Sequence, residues 1–224
     1  MILLTKNLRK EVSSDNGTLV ILEDINLEIE QGQTIAITGP SGSGKSTLLG
    51  LLAGLDDLSQ GEIYLNNNPL HELNEEERAL VRKENVAFVF QSFELLPGLT
   101  ALENVMLPSE LNSKVDAKEL AQSYLERVGL AERMTHYPNQ LSGGEQQRVA
   151  IARAFACEAK VLFADEPTGN LDSQTGNDVI KLFKDLHDQG QTIILITHEN
   201  EIASIAQRTI FIKDGLIESD TQNK

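Results

Sequence analysis

Eight consecutive residues, Gly39-Pro40-Ser41-Gly42-Ser43-Gly44-Lys45-Ser46, follow the order glycine, four residues, glycine-lysine-serine. This is a loop built to hold phosphate. Glycines let successive backbone N–H groups turn inward and approach phosphate oxygens closely. A helix opening near Lys45 would aim its unpaired N–H groups and partial positive charge at the same oxygens. Lys45 suits the β and γ phosphates of a nucleotide, Ser46 offers a hydroxyl to Mg²⁺, and Thr47 completes the set. A glycine-serine turn could match the pattern by chance, but such a turn would not need a strand before it and a helix after it. Both are legible here. Thr34 to Thr38 is an apolar run leading into the loop, and Leu48, Leu49, Leu51, Leu52 and Leu55 mark a helix face after it.

Two further stretches carry chemistry. Val161-Leu162-Phe163-Ala164 ends in Asp165-Glu166, an apolar strand that delivers two carboxylates at its C-terminal end, where α/β sheets bind ligands. Asp165 would hold Mg²⁺ through water. Glu166 would orient and deprotonate the attacking water. Alone, this pair would more often be a solvated strand end; beside a phosphate loop it reads as catalytic. Leu141-Ser142-Gly143-Gly144-Glu145-Gln146-Gln147-Arg148 places a Ser-Gly-Gly at the start of a helix. That is a second anion site of the same physical kind, and equally an ordinary helix start with Ser142 as cap and Glu145 as its capping-box partner. One ATP does not need two such loops far apart in one chain. A head-to-tail homodimer explains them, with each ATP held between the phosphate loop of one chain and Ser142, Gly143 and Gly144 of the other.

These residues need a frame. Ile25, Leu27 and Ile29 alternate with Asn26, Glu28 and Glu30, the pattern of a half-buried antiparallel strand. Strand signals recur at 61–65, 86–90, 161–164, 192–197 and 208–213, with helices at 75–83 and 176–187. The 86–90 strand is apolar throughout and is expected to be central. Between about 92 and 157 helical periodicity replaces strand signals, and Pro97, Pro108 and Pro138 punctuate. The expectation is a single α/β domain with a mostly parallel sheet, an antiparallel N-terminal part, a core of about 1–91 and 158–224, and a helical insertion over about 92–157.

The 224 residues carry 34 acidic and 19 basic side chains, a net charge of −15. Nucleic-acid binders need clustered Lys and Arg, so no nucleic-acid partner is expected. The single cysteine, Cys157, excludes an internal disulfide and fits a reducing compartment; it reads as a small buried hydrophobe. No signal-peptide pattern opens the sequence. Its apolar runs are strand-sized, well short of the roughly 20 residues of a membrane span.

Leu141 to Arg148, with the phosphate loop and Asp165-Glu166 in order, resembles the signature of the ABC-type ATPases. The resemblance covers nearly the whole chain and implies the ABC ATPase fold, a P-loop NTPase core with a helical subdomain. Three more residues take roles through it. Gln91 resembles the Q-loop glutamine, which contacts Mg²⁺ and the attacking water and links to the transporter. Asp172, in Asn170-Leu171-Asp172, resembles the D-loop aspartate that reaches across the dimer. His198 resembles the switch histidine at the γ-phosphate; His71, His136 and His187 read as surface residues. Phe90 to Pro97 and Ala164 to Asp172 resemble the lipoprotein-release and macrolide-export branch. That branch implies an integral membrane permease partner and a peripheral place on the cytoplasmic face of the bacterial inner membrane. The family's adenine-stacking ring is replaced by Val12, at a cost on the order of 1 kcal/mol in affinity. A regulatory ATPase that gates a periplasmic enzyme without cargo, and a soluble nucleic-acid protein of the same family, are the competing readings. The acidity and the lack of zinc-type cysteine pairs count against the second.

Overall fold

The computed structural model describes residues 1–14, 17–112 and 116–223. Strands β1 (Leu3–Ser14), β2 (Gly17–Ile29), β4 (Gln60–Leu65) and β5 (Asn68–Pro69) form an antiparallel sheet in the order β2-β1-β4-β5. Strands β3 (Thr34–Thr38), β6 (Val86–Val89), β7 (Val161–Asp165), β8 (Thr192–Ile196), β9 (Arg208–Lys213) and β10 (Leu216–Gln222) form a second sheet, in the order β10-β9-β3-β8-β7-β6. Its pairs are parallel except for the β9–β10 hairpin. The alternation read at 25–30 is observed: Ile25, Leu27 and Ile29 are buried while Asn26 and Glu28 are exposed.

The helices are α1 (Lys45–Leu52), α2 (Glu75–Asn85), α3 (Ala101–Leu111), α4 (Ala117–Arg127), α5 (Gly143–Ala156), α6 (Ser173–Asp188) and the short α7 (Asn200–Ala203). The two faces of the parallel sheet follow the period of two along each strand. Leu162 and Ala164 of β7 and Ile193 and Leu195 of β8 face one apolar cluster, shared with α3, α4, α5 and α6. Val161, Phe163, Ile194 and Ile196 face the other, shared with α1 and the antiparallel sheet. The helical stretch around α3 and α4 therefore has no separate core among the described residues. It completes the first cluster through α5, whose Val149, Ile151 and Ala152 are fully buried.

Three expectations need correction. The 86–90 strand lies at the sheet edge, not its centre. Both its faces are nevertheless covered: Val86 joins one cluster, and Ala87 and Val89 the other. A doubly covered edge strand is as apolar as a central one, so composition could not separate them. Pro108 lies inside α3 and does not end it. The start of that helix is fixed instead by a Thr100–Glu103 capping box and by the buried Asn104, whose amide donates to the carbonyls of Leu96, Leu99 and Thr100. The three histidines read as surface residues are partly buried. His187 Nδ1 lies 2.8 Å from the Thr34 hydroxyl, His71 Nδ1 lies 3.1 Å from the Ile63 carbonyl oxygen, and His136 Nδ1 is buried. Cys157 is half-buried against the first cluster, with its thiol 3.5 Å from the Arg153 carbonyl.

The two sheets meet at Gly215. The residue sits at φ 78°, a Cβ there would lie 2.5 Å from the Ile21 carbonyl oxygen, and the Glu23 N–H donates to its carbonyl at 2.9 Å. Gly215→Ala should destabilise the fold by about 2 kcal/mol or more, because it adds left-handed strain to a backbone clash. Denaturant unfolding followed by circular dichroism checks this.

Candidate nucleotide site

Strand β3 stops at Thr38 and the chain turns out of the sheet at Gly39 with φ 142°. A Cβ at Gly39 would lie 2.0 Å from the Ile212 carbonyl oxygen of β9. Gly44, at φ 96°, caps the start of α1, and a Cβ there would lie 2.8 Å from the Leu22 side chain and 3.0 Å from the Ile21 carbonyl. Both glycines are thus required by contact as well as by φ. The loop lines a cleft of about 500 Å³ with Gly39, Ser41, Gly42, Gly44, Lys45, Ser46 and Thr47 on one side. Ile21, Glu166 and His198 complete it. Pro40 contributes its carbonyl, which accepts from Lys45 Nζ at 2.8 Å beside the Gly39 carbonyl at 2.9 Å. The buried Ser43 hydroxyl has no hydrogen-bond partner among the described residues.

Strand β7 delivers its carboxylates to this cleft. Asp165 is half-buried, and burial, the largest influence, raises its pKa. A hydrogen bond from Ser46 and the charge of Lys45 oppose that shift, while the charge of Glu166 adds to it. A half-buried carboxylate bonded to a hydroxyl at the foot of a phosphate cleft fits a hard divalent cation, whose charge would offset the cost of burying the anion. Glu166 has φ 45°, strained for a residue with a side chain, and its N–H is held by the Ile196 carbonyl at 3.0 Å. Its Oε1 lies 3.2 Å from His198 Nδ1. Gln91 reaches the same place from the end of β6: a Cβ on Gly169 would lie 2.8 Å from Gln91 Nε2 and 3.3 Å from Glu166 Oε2. Asn170 fixes that glutamine, donating to the Gln91 carbonyl at 3.0 Å.

Ser142, Gly143, Gly144 and Asp172 do not line this cleft. Ser142 caps α5 in a reciprocal box with Glu145, and Ser142 and Gly143 are exposed. Asp172 caps α6, accepting from the N–H groups of Gln174 and Thr175 and from the Thr175 hydroxyl. These bonds hold its carboxyl below the usual range. The two caps touch: a Cβ on Gly144 would lie 2.2 Å from Thr175 Cγ2. Sequence reading missed Ile21, Asn170 as the partner of Gln91, and Thr175. Ile21 looks like any strand residue, and only the approach of β2 to Gly44, at the start of α1, brings it to the cleft.

Comparison with known proteins now decides the family. The family described as ABC transporter matches residues 22–169. The chain belongs to the ABC transporter family. It is 49% identical over 217 residues to the uncharacterized ABC transporter ATP-binding protein YbbA of Escherichia coli K12, covering 96% of this chain and 95% of that one. It is 48% identical to the uncharacterized ABC transporter ATP-binding protein MJ1508 of Methanocaldococcus jannaschii, covering 95% and 96%. It is 46% identical to the macrolide export ATP-binding/permease protein MacB of Bdellovibrio bacteriovorus over 96% of this chain, and spans only 33% of that relative's length. The ATP-binding cassette MJ0796, solved as a dimer in a post-hydrolysis state with ADP and Pi, superposes with a TM-score of 0.93 at 39% identity, over 100% of this chain and 99% of that one.

In this ABC cassette Gly144 has a packing role within its own chain. Gly144→Ala should cost about 1–3 kcal/mol by overpacking against Thr175, before any dimer forms, and Thr175→Ser should recover part of it by removing the clashing methyl. Thermal melting of the nucleotide-free protein tests both. The cap also predicts acid behaviour. Hydrogen bonding to the Ser142 backbone, then Arg133, lowers the Glu145 pKa from 4.5 to about 2. The folded value lies below the unfolded one, so the stabilisation is complete above about pH 4.5 and fades as pH falls towards 2. Glu145→Gln should flatten that part of the acid-unfolding curve.

Proposed function

We propose that the chain is the ATP-hydrolysing subunit of a membrane transport or extrusion machine. It works as a head-to-tail homodimer that holds two ATP molecules. The observation that carries the dimer is the separation of two phosphate-binding helix starts within one chain. Gly39, Ser41, Gly42 and Gly44 to Thr47 line the cleft, whereas Ser142, Gly143 and Gly144 open a different helix, with Ser142 and Gly143 exposed to solvent. In the dimer the second set closes over the partner's γ-phosphate, and Asp172 sits at the same seam.

Within each site the phosphate loop binds and orients the nucleotide. Lys45 leaves the Gly39 and Pro40 carbonyls for phosphate oxygens. Ser46 and Asp165, with Gln91, would hold Mg²⁺, which would supply positive charge against that of the phosphates. Glu166 takes the proton of the attacking water, and its 3.2 Å approach to His198 Nδ1 keeps both side chains at the γ-phosphate end. His198 contacts that phosphate. With Lys45 turned to the phosphates, the partner's Ser142, Gly143 and Gly144 complete the site, so dimer closure licenses hydrolysis.

The machine's membrane part is an integral permease. No helix among the described residues is long and apolar enough to cross a membrane. A relative named as ATP-binding and permease protein extends over three times the aligned length. The cassette would sit on the cytoplasmic face of the bacterial inner membrane and move lipid, lipoprotein or hydrophobic compounds, or pass force outward. An acidic surface of net charge −15 fits no nucleic-acid partner.

Glu166→Gln should bind Mg-ATP, form a stable dimer in gel filtration and light scattering, and hydrolyse about 10²–10⁴-fold more slowly. A variant that stays monomeric at saturating Mg-ATP and turns over at the parent rate sinks the shared-site mechanism.

A further inference from the structure

The segment that follows Gln91 is bent in a costly way. Phe93 and Glu94 have φ 63° and 49°, two consecutive left-handed residues that both carry side chains. Such a pair persists only where its surroundings over-determine it. Local bonds contribute: the Phe93 N–H donates to the Phe90 carbonyl at 3.2 Å, and the Glu94 N–H to the Ser92 carbonyl at 2.7 Å. The Ser92 hydroxyl also bonds the Glu94 carboxylate at 2.7 Å. None of these ties the turn to the rest of the protein.

Arg153 does. It comes from α5, and its guanidinium spans the turn: Nη2 donates to the Phe93 carbonyl at 2.9 Å and Nη1 to the Glu94 carbonyl. No carboxylate lies within ion-pair distance of it among the described residues. Its planar fork therefore engages two neutral oxygens of a strained backbone, a geometry that a lysine ammonium cannot match. On the other side of the turn the Phe93 ring packs at Gly143, where a Cβ would lie 3.7 Å from its Cζ. The turn is held between two points of one helix, one at its start and one near its end.

We propose that Arg153 is a positioning residue for hydrolysis: it fixes the Phe93–Glu94 turn and through it the place of Gln91 beside Glu166. This rests on the reading of Gln91 as a ligand of the reacting site. Gln91 is only two residues before the turn. Asn170 holds its backbone carbonyl at 3.0 Å, while the side-chain amide makes a long 3.5 Å contact to the same residue. Without the arginine the left-handed pair relaxes, and the side-chain amide loses its register with Glu166. Nucleotide binding at the phosphate loop does not pass through this turn, so kcat falls while the affinity for ATP holds.

A double-mutant cycle between Arg153→Lys and Gln91→Ala tests this in the full chain. Arg153→Lys should lower kcat about 10- to 100-fold, the scale expected of small misplacements, with the ATP dissociation constant within about twofold of the parent. In the Gln91→Ala background the same change should lower kcat by less than about twofold. Hydrogen exchange should speed up over residues 91–95 while the β7 and β8 amides keep their protection. Equal losses in both backgrounds, or a melting point drop with no selective exchange at 91–95, would mean a general structural role and overturn the proposal. A parent-like kcat in Gln91→Ala would instead remove the reading of Gln91 on which it stands. If Arg153→Lys does not fold, Arg153→Gln, which keeps a planar amide donor, takes its place in the cycle with the same outcomes.

Discussion

Where Gly39 leaves β3, the Ile212 carbonyl oxygen occupies the space in which any other residue would place its Cβ. A few residues on, Gly44 brings the start of α1 against the Ile21 carbonyl and the Leu22 side chain. These two backbone approaches set the shape of the phosphate cleft. One comes from β9 of the parallel sheet and the other from β2 of the antiparallel sheet, so both sheets hold the loop. The antiparallel sheet is therefore part of the nucleotide site, although it supplies only Ile21 to the lining. Gly215, which lets the C-terminal hairpin meet β2, belongs to the same clamp.

The parallel sheet then acts as a register for chemistry. β3, β7 and β8 are adjacent and parallel, so the residues just past their C-terminal ends face one space. Gly39 follows the first, Asp165 and Glu166 end the second, and His198 follows the third. Asp165 sits deep enough for desolvation to raise its pKa. The left-handed backbone at Glu166 turns its carboxylate out of the strand and towards the histidine. The apolar clusters on the two faces keep the strands in place, and Ile21, at the margin of the second, is the group they lend to the cleft.

Much of this was legible in the sequence because the chemistry is local. The phosphate loop, the two carboxylates and the helix-capping Ser-Gly-Gly each lie within eight residues, and their spacing carries their meaning. The period of two in β2 and the apolar run of β7 were equally readable. What escaped were features that depend on residues far apart. The edge position of β6 is masked because apolar clusters cover both its faces, so its composition reads as that of a central strand. Ile21 becomes a cleft residue only because β2 meets the start of α1 at Gly44. Pro108 fits inside α3, whose start is anchored elsewhere by Asn104. The strained turn at Phe93 and Glu94 has no glycine to announce it, since its conformation is imposed by an arginine some 60 positions away.

Lys45 is bonded to the carbonyls of its own loop, at 2.9 and 2.8 Å. Those two bonds use two of the ammonium's three N–H donors and fix its place in the loop. The loop's own carbonyls therefore act as a jig for the side chain, which has less rotamer freedom left to lose when it engages an anion than a lysine waving in solvent would have.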